Sequence, residues 1–156
     1  MIEINKSMKK LFFSVATLFT AAFVYAQNPV SWTFSAKKVD DKTFEVHMTA
    51  TIQKSWHLYS QTQPEDAVAN PTAFTITANP LLKLDGKIKE VGKMEKFVDK
   101  ELGLSANQYS DKVDFVQVVK LKGSVNTNLS GSVEFQTCDD KKCLPPKTIN
   151  FNVALK

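Results

Sequence analysis

Between Thr43 and Ile52 the chain alternates strictly. Phe44, Val46, Met48, Ala50 and Ile52 fall on one side of an extended strand, and Glu45, His47, Thr49 and Thr51 fall on the other. A period of two cannot be satisfied by a helix, and a strand with one apolar face must have that face covered. The chain is thereby committed to sheets. The same reading extends along the sequence. Residues 113–121 carry Val113, Phe115, Val119 and Leu121 on one face, with Val116 and Val118 opposite, which predicts a central or covered strand. Residues 129–137 alternate through Leu129, Val133 and Phe135, and Ile149, Phe151, Val153 and Leu155 form the last strand. Shorter candidates are residues 32–36, 74–78 and 88–91. Roughly seven or eight short strands with turn chemistry between them predict an all-β fold, an immunoglobulin-like antiparallel β-sandwich. That fold's usual inter-sheet disulfide is excluded, because both cysteines, Cys138 and Cys143, lie close together in sequence. Two stretches break the pattern. Residues 93–110, with weak helical spacing at Met94, Phe97 and Val98 and an interruption at Gly103, are expected to be a long loop with one helical turn. Residues 64–71 are a second irregular stretch. Loops of such length in a small domain are often functional.

The first 26 residues do not belong to that domain. Lys6, Lys9 and Lys10 make a basic start, residues 11–24 are an apolar run, and Val24, Tyr25 and Ala26 end in small-residue cleavage chemistry. This order predicts a secretory signal cut after Ala26, leaving one domain over residues 27–156. The run is shorter than the roughly 20 residues that span a bilayer. No cysteine follows the cut to carry a lipid, and no second apolar span follows it. The formal charge of +4 falls to about +2 without the signal, and the lysines are scattered, so nucleic acid is not an expected partner. The chain has no arginine, which removes bidentate recognition of phosphate or carboxylate.

The chemistry is concentrated in the stretch from Phe135 through Cys138, Asp139, Asp140, Lys141, Lys142 and Cys143 to Pro145 and Pro146. An exported protein with two cysteines is expected to hold them oxidised. The spacing sets the pair across the end of a β-hairpin, with the four charged residues as the exposed tip and the prolines stiffening one side without extending the sheet. As a staple, a loop of about six residues contributes only about 2 kcal/mol. Exposed disulfides beside irregular segments are the ones that exchange. Both readings, staple and redox pair, stay open on spacing alone. No helix N-terminus is available to lower a thiol pKa, and the tip charges nearly cancel, so a passive dithiol is expected, activated by its partner. Zinc would want four ligands, and His47 and His57 are distant in sequence, so neither metal nor cofactor is expected. Both histidines read as surface or partly packed residues, and Trp56 and Tyr59 as core or sheet-edge aromatics.

These residues carry a resemblance. Ser55 to Gln61, Asn70 to Phe74 and the cysteine stretch from Phe135 to Pro146 resemble the N-terminal domain of the thiol:disulfide interchange protein DsbD, across most of residues 32–155. The resemblance implies an immunoglobulin-like domain in the periplasm. Such a domain takes reducing equivalents from a thioredoxin-like domain and passes them to oxidised periplasmic proteins, including disulfide isomerases and cytochrome c maturation thioredoxins. It implies that Cys143 forms the mixed disulfides and Cys138 resolves them. It implies a cap loop over the cysteine hairpin, falling at Asp99, Glu101, Leu102 and Gly103, with Tyr59 near the site. The pattern departs from the best-known members in three ways. Four residues rather than five separate the cysteines. Leu102 stands where the cap carries an aromatic, so shielding is weaker or comes from Phe97. The chain ends at Lys156 without the transmembrane conduit and thioredoxin-like domain of the full protein. A separate membrane protein must then supply the electrons, or the role has drifted to binding. The alternatives to an exchange module are a non-catalytic β-sandwich that binds a partner, with the disulfide as staple, and a metal chaperone using the cysteines with Met or His.

Overall fold

The computed structural model describes residues 28–67 and 69–156, so the expected signal segment, residues 1–26, lies outside the described residues. Among the described residues nine strands make two sheets: β1 (Val30–Lys38), β2 (Thr43–Ile52), β3 (Trp56–Tyr59), β4 (Ala73–Ile76), β5 (Leu82–Asp99), β6 (Leu104–Leu121), β7 (Thr127–Phe135), β8 (Thr137–Asp139) and β9 (Lys147–Leu155). Every pairing between them is antiparallel. The larger sheet is organised on β6. One edge of β6 pairs with β5 along nearly its whole length. The other edge pairs first with β2, from Thr43↔Lys120 to Thr51↔Lys112, and then with β3 through Leu58↔Tyr109 and Tyr59↔Gln108. The strands β2 and β3 therefore run end to end along one side of β6. β1 lies outside β2, and β8 lies outside β3. The smaller sheet has the order β4-β7-β9.

The alternating faces read from the sequence meet between the two sheets. Phe44, Val46, Met48 and Ala50 of β2, Val113, Phe115 and Val119 of β6, Leu129, Val133 and Phe135 of β7, and Phe151, Val153 and Leu155 of β9 form one buried cluster. Trp32 lies among Phe74, Phe115 and Phe135 with ring centroids 6.1, 5.8 and 5.3 Å away, so the aromatic centre joins four strands. At roughly 1.5–3 kcal/mol for each fully buried large apolar side chain, this cluster is the main source of stability. Gly131 is required where β4 approaches β7, because a Cβ there would overlap the Thr75 carbonyl oxygen and the Phe151 ring.

The structure departs from the sequence expectation in two places that matter for the site. Residues 93–110 are not a loop. They are the outer ends of β5 and β6, joined by a short turn at residues 100–103 that Gly103 closes with a φ of 65°. The apolar residues there lack clean alternation because β5 is an edge strand with lysines interleaved and neither face fully covered, as edge strands generally are. The second departure is at Gln136. The strand expected to run through Thr137 stops at Phe135, and the chain passes from the smaller sheet to the larger one, where β8 pairs with β3. The Gln136 side chain bridges the crossing, accepting from the Asn70 backbone N–H at 2.9 Å and donating to the Leu144 carbonyl at 3.1 Å.

Candidate active site

The site begins with β3, a four-residue strand too short to announce itself by period. Its Trp56, His57 and Leu58 pair with Asp139, Cys138 and Thr137 of β8. Directly opposed residues share a face, so Cys138 and His57 lie side by side on the outer face of the sheet, while Leu58 points into the main core. Beyond β8 the chain turns back. Asp139 N–H donates to the Lys142 carbonyl at 2.9 Å, Leu144 N–H donates to the Thr137 carbonyl at 2.9 Å, and Cys138 and Cys143 face each other and are joined by a disulfide. The Asp139 carboxylate is turned into this tip, where the backbone N–H groups of Lys141 and Lys142 donate to it at 2.8 and 2.7 Å. Those two donors hold its pKa below the usual carboxylate range. Its charge is therefore spent on shaping the turn.

The two sulfur-bearing residues differ sharply in environment. Cys138 is 3 % exposed and packs with Tyr59, Ala69 and Ala106 in a small second cluster on the outer face. Cys143 is exposed, as are the tip lysines before it and the prolines after it. Tyr59 stands two residues beyond His57 on the same face, and burial raises its phenol pKa. The Tyr59 carbonyl accepts from the Thr72 hydroxyl at 2.5 Å, which pins the far end of the 60–72 segment. The near end is fixed by Glu90 of β5. Its carboxylate accepts from the Ser60 hydroxyl at 2.8 Å, the Gln61 backbone N–H at 2.7 Å, the Gln61 side-chain amide at 3.1 Å and the Tyr109 hydroxyl. Burial and the Glu90 carboxylate together push the Tyr109 phenol well above its usual range.

The expected cap residues lie in the same half of the larger sheet, at the turn of the β5–β6 hairpin. Asp99 accepts the backbone N–H groups of Glu101 and Leu102, both at 3.0 Å, and Gly103 completes the turn. Leu102 is 70 % exposed. Nearer the cysteines, Phe97 pairs with Ala106, so it shares the face of the second cluster, and it is 46 % exposed. Phe97, Pro64, Gln63 and Ala106 line an open cleft of about 380 Å³ beside that cluster. Among the described residues no group of three or more His, Cys, Asp and Glu is arranged to hold a metal ion.

Sequence reasoning missed the polar chain next to Cys138. His57 Nδ1 lies 3.0 Å from the Ser110 hydroxyl, which in turn donates to Glu95 at 3.1 Å, and His57 Nε2 lies 3.6 Å from Asp140. The one available signal was the strand period itself, which puts His57 on the same face as Tyr59. Ser110 and Glu95 come from two other strands and carried no signal.

An antiparallel β-sandwich that carries an oxidised cysteine pair in a hairpin, one sulfur open and one covered, defines a class of immunoglobulin-like disulfide-bearing domains. The sequence comparison places the chain within it. Residues 24–155 match the family described as the N-terminal part of the thiol:disulfide interchange protein DsbD, and the chain belongs to that family. Among solved structures, the N-terminal periplasmic domain of ScsB from Proteus mirabilis superposes with a TM-score of 0.58 at 17 % identity, covering 81 % of this chain and 47 % of that one. The chain thus spans about half the length of that relative, and at this identity the likeness is one of fold. The DsbD N-terminal domain of Neisseria meningitidis in its reduced form gives a TM-score of 0.49 at 15 % identity, covering 79 % of this chain and 84 % of that one. A comparison with curated proteins finds no match.

Proposed function

We propose that the domain is a periplasmic thiol–disulfide exchange module that receives reducing equivalents from a thioredoxin-like protein and passes them to oxidised envelope proteins. Family membership and the disulfide support exchange as the chemistry. The observation that carries the reading further is the contrast between an exposed Cys143 and a buried Cys138. A sulfur can be attacked only along the S–S axis by a thiolate that reaches it, and only Cys143 is open to a partner. In loading, a partner thiolate attacks Cys143 Sγ, the Cys143–Cys138 bond breaks, and its electron pair leaves on Cys138 Sγ. The partner's second thiolate then attacks its own sulfur in the mixed disulfide and departs oxidised, leaving a dithiol here. In delivery, the Cys143 thiolate attacks an oxidised protein, and Cys138 resolves the mixed disulfide. Two electrons move in each half. Asp99, Glu101, Leu102 and Gly103, with Phe97, act as the movable edge of the site, and Tyr59 as the wall behind Cys138.

Trapping tests the assignment. Cys138→Ser is expected to accumulate a mixed disulfide through Cys143 with a thioredoxin-like partner that lacks its own resolving cysteine, and Cys143→Ser is expected to trap little. Equal trapping would remove the asymmetry. No trapping by either variant, with the fold intact, would leave the disulfide as a hairpin staple in a binding domain.

A further inference from the structure

The covered position of Cys138 creates a chemical difficulty for the exchange just proposed, on which this inference rests. When Cys143 is attacked, the electron pair departs on the sulfur of Cys138, a residue that is 3 % exposed. Burial disfavours the thiolate, and a thiol of raised pKa is a poor leaving group. A cation beside Cys138 would offset this. The chain has no arginine, and Lys54, Lys141 and Lys142, the lysines nearest in sequence to β3 and the hairpin, are exposed. The group that the sheet register sets directly opposite Cys138 is His57. Cross-strand partners have Cβ atoms about 4.5–5.5 Å apart, within reach of an imidazole.

Both ring nitrogens of His57 face polar partners. Glu95 of β5 can only accept, so the Ser110 hydroxyl of β6 gives its single proton to Glu95 and accepts from His57 Nδ1, which must therefore carry a hydrogen. The other ring nitrogen faces the Asp140 carboxylate from the cysteine hairpin at 3.6 Å. That distance is too long for a hydrogen bond but short enough for charge attraction. Two carboxylates, one direct and one through a hydroxyl, thus flank the ring. On β3 and β8 the other titratable groups are Tyr59 on the same face and Asp139, whose carboxylate is occupied by its own turn, while Lys93 and Lys96 beside Glu95 and Asp111 and Lys112 beside Ser110 are exposed and Tyr109 is bound to Glu90. Asp140 sits on the tip that the disulfide closes, with an exposed side chain, so opening the disulfide loosens one of the two anchors of the imidazolium when a proton is needed.

We propose that His57, as an imidazolium poised by Asp140 and by Glu95 through Ser110, stabilises and protonates the Cys138 sulfur released when a partner thiolate attacks Cys143. The step balances. The partner sulfur bonds to Cys143 Sγ, the Cys143–Cys138 bond breaks, the pair goes to Cys138 Sγ, and His57 gives that sulfur its proton and becomes neutral. In the reverse direction neutral His57 takes the proton from Cys138, whose thiolate attacks Cys143 Sγ and expels the partner.

The test is the rate at which 2-mercaptoethanol opens the disulfide, expressed per thiolate, followed between about pH 5 and 8, where an imidazole changes charge. In the wild-type protein the rate per thiolate is expected to fall roughly tenfold or more as the pH rises, because the proton donor is lost. His57→Gln should lie near the alkaline value throughout, without a step. Glu95→Gln, a conservative change at a half-buried side chain, should keep the step but move it to lower pH, because one of the flanking charges is gone; this variant decides the matter if His57→Gln does not fold. A wild-type disulfide that exchanges with a pH profile shared by His57→Gln, or left unmoved by Glu95→Gln, overturns the role of His57 alone. A wild-type disulfide that resists the monothiol at every pH overturns the exchange reading, and this inference with it.

Discussion

The strand β6 is continuous, yet its two halves behave as different materials. In residues 113–121 every second side chain is buried, β2 holds the strand in unbroken register on one side, and β5 pairs with it on the other. In residues 104–109 the partner on one side is only β3 and the covering segment from Ser60 onward, and on the other side the strand edge carries exposed Val98 and Phe97. The boundary is at Asp111, whose φ of 63° lies in the left-handed region. Between the pairs Gly92↔Val113 and Met94↔Tyr109, β6 places three residues against one of β5, a bulge that re-aims the strand as bulges do beside sites. One chain segment therefore supplies a rigid anchor and, beyond the bulge, a less-supported wall for the cysteines. Regions with few buried contacts open at lower free energy than the core, so local opening is expected first in the outer half.

The contrast can be broken by mutation. The largest effect is expected on the rigid side. Phe115→Ala removes a fully buried ring shared with Trp32 and Phe74 and should cost about 3–5 kcal/mol in denaturant unfolding. A loss below about 1 kcal/mol would mean that the core is not concentrated there. A middle effect is expected where the two regions are tied together. Glu90→Gln leaves Ser60, Gln61 and Tyr109 facing an amide in place of a carboxylate, and should cost about 1–3 kcal/mol. Hydrogen exchange should show the loss focused on the 60–72 segment; faster exchange spread evenly through β2 and β7 would show that Glu90 supports the whole fold. The smallest effect is expected at the turn. Leu102→Ala should change stability by no more than about 0.5 kcal/mol, because the side chain is largely in water. A larger loss in the same unfolding measurement would show that the turn packs on something and is part of the rigid side.

The same boundary decides what was legible in the sequence. Strands β2, β9 and the inner half of β6 were readable because one face is buried and the period survives in the residues. The outer hairpin was read as a loop because Val91, Met94, Phe97 and Val98 are exposed to differing degrees among lysines, and exposure leaves no period to read. Strand β3 is too short for a pattern, and its partner β8 is fixed by tertiary pairing some 80 residues away. In the site, the cysteines and Tyr59 were singled out by chemistry and family pattern. His57, Ser110 and Glu95 were not, because their contact exists only once three strands are aligned.

The crossing at Gln136 has a consequence for how such a domain can vary. The strands β7 and β9 remain paired up to Phe135↔Lys147, and everything between those two residues, both cysteines included, is an excursion that begins and ends at one rung of the ladder. Residues added to or removed from the excursion do not shift the register of β7 or β9 by a single place. A one-residue slip in either strand would turn its buried face outward, which no sandwich of this size would survive. The hairpin thus behaves as a cassette plugged into a closed frame. Four residues between the cysteines or five can be tried by evolution, or by an engineer, while the frame that folds the protein stays unaware of the change.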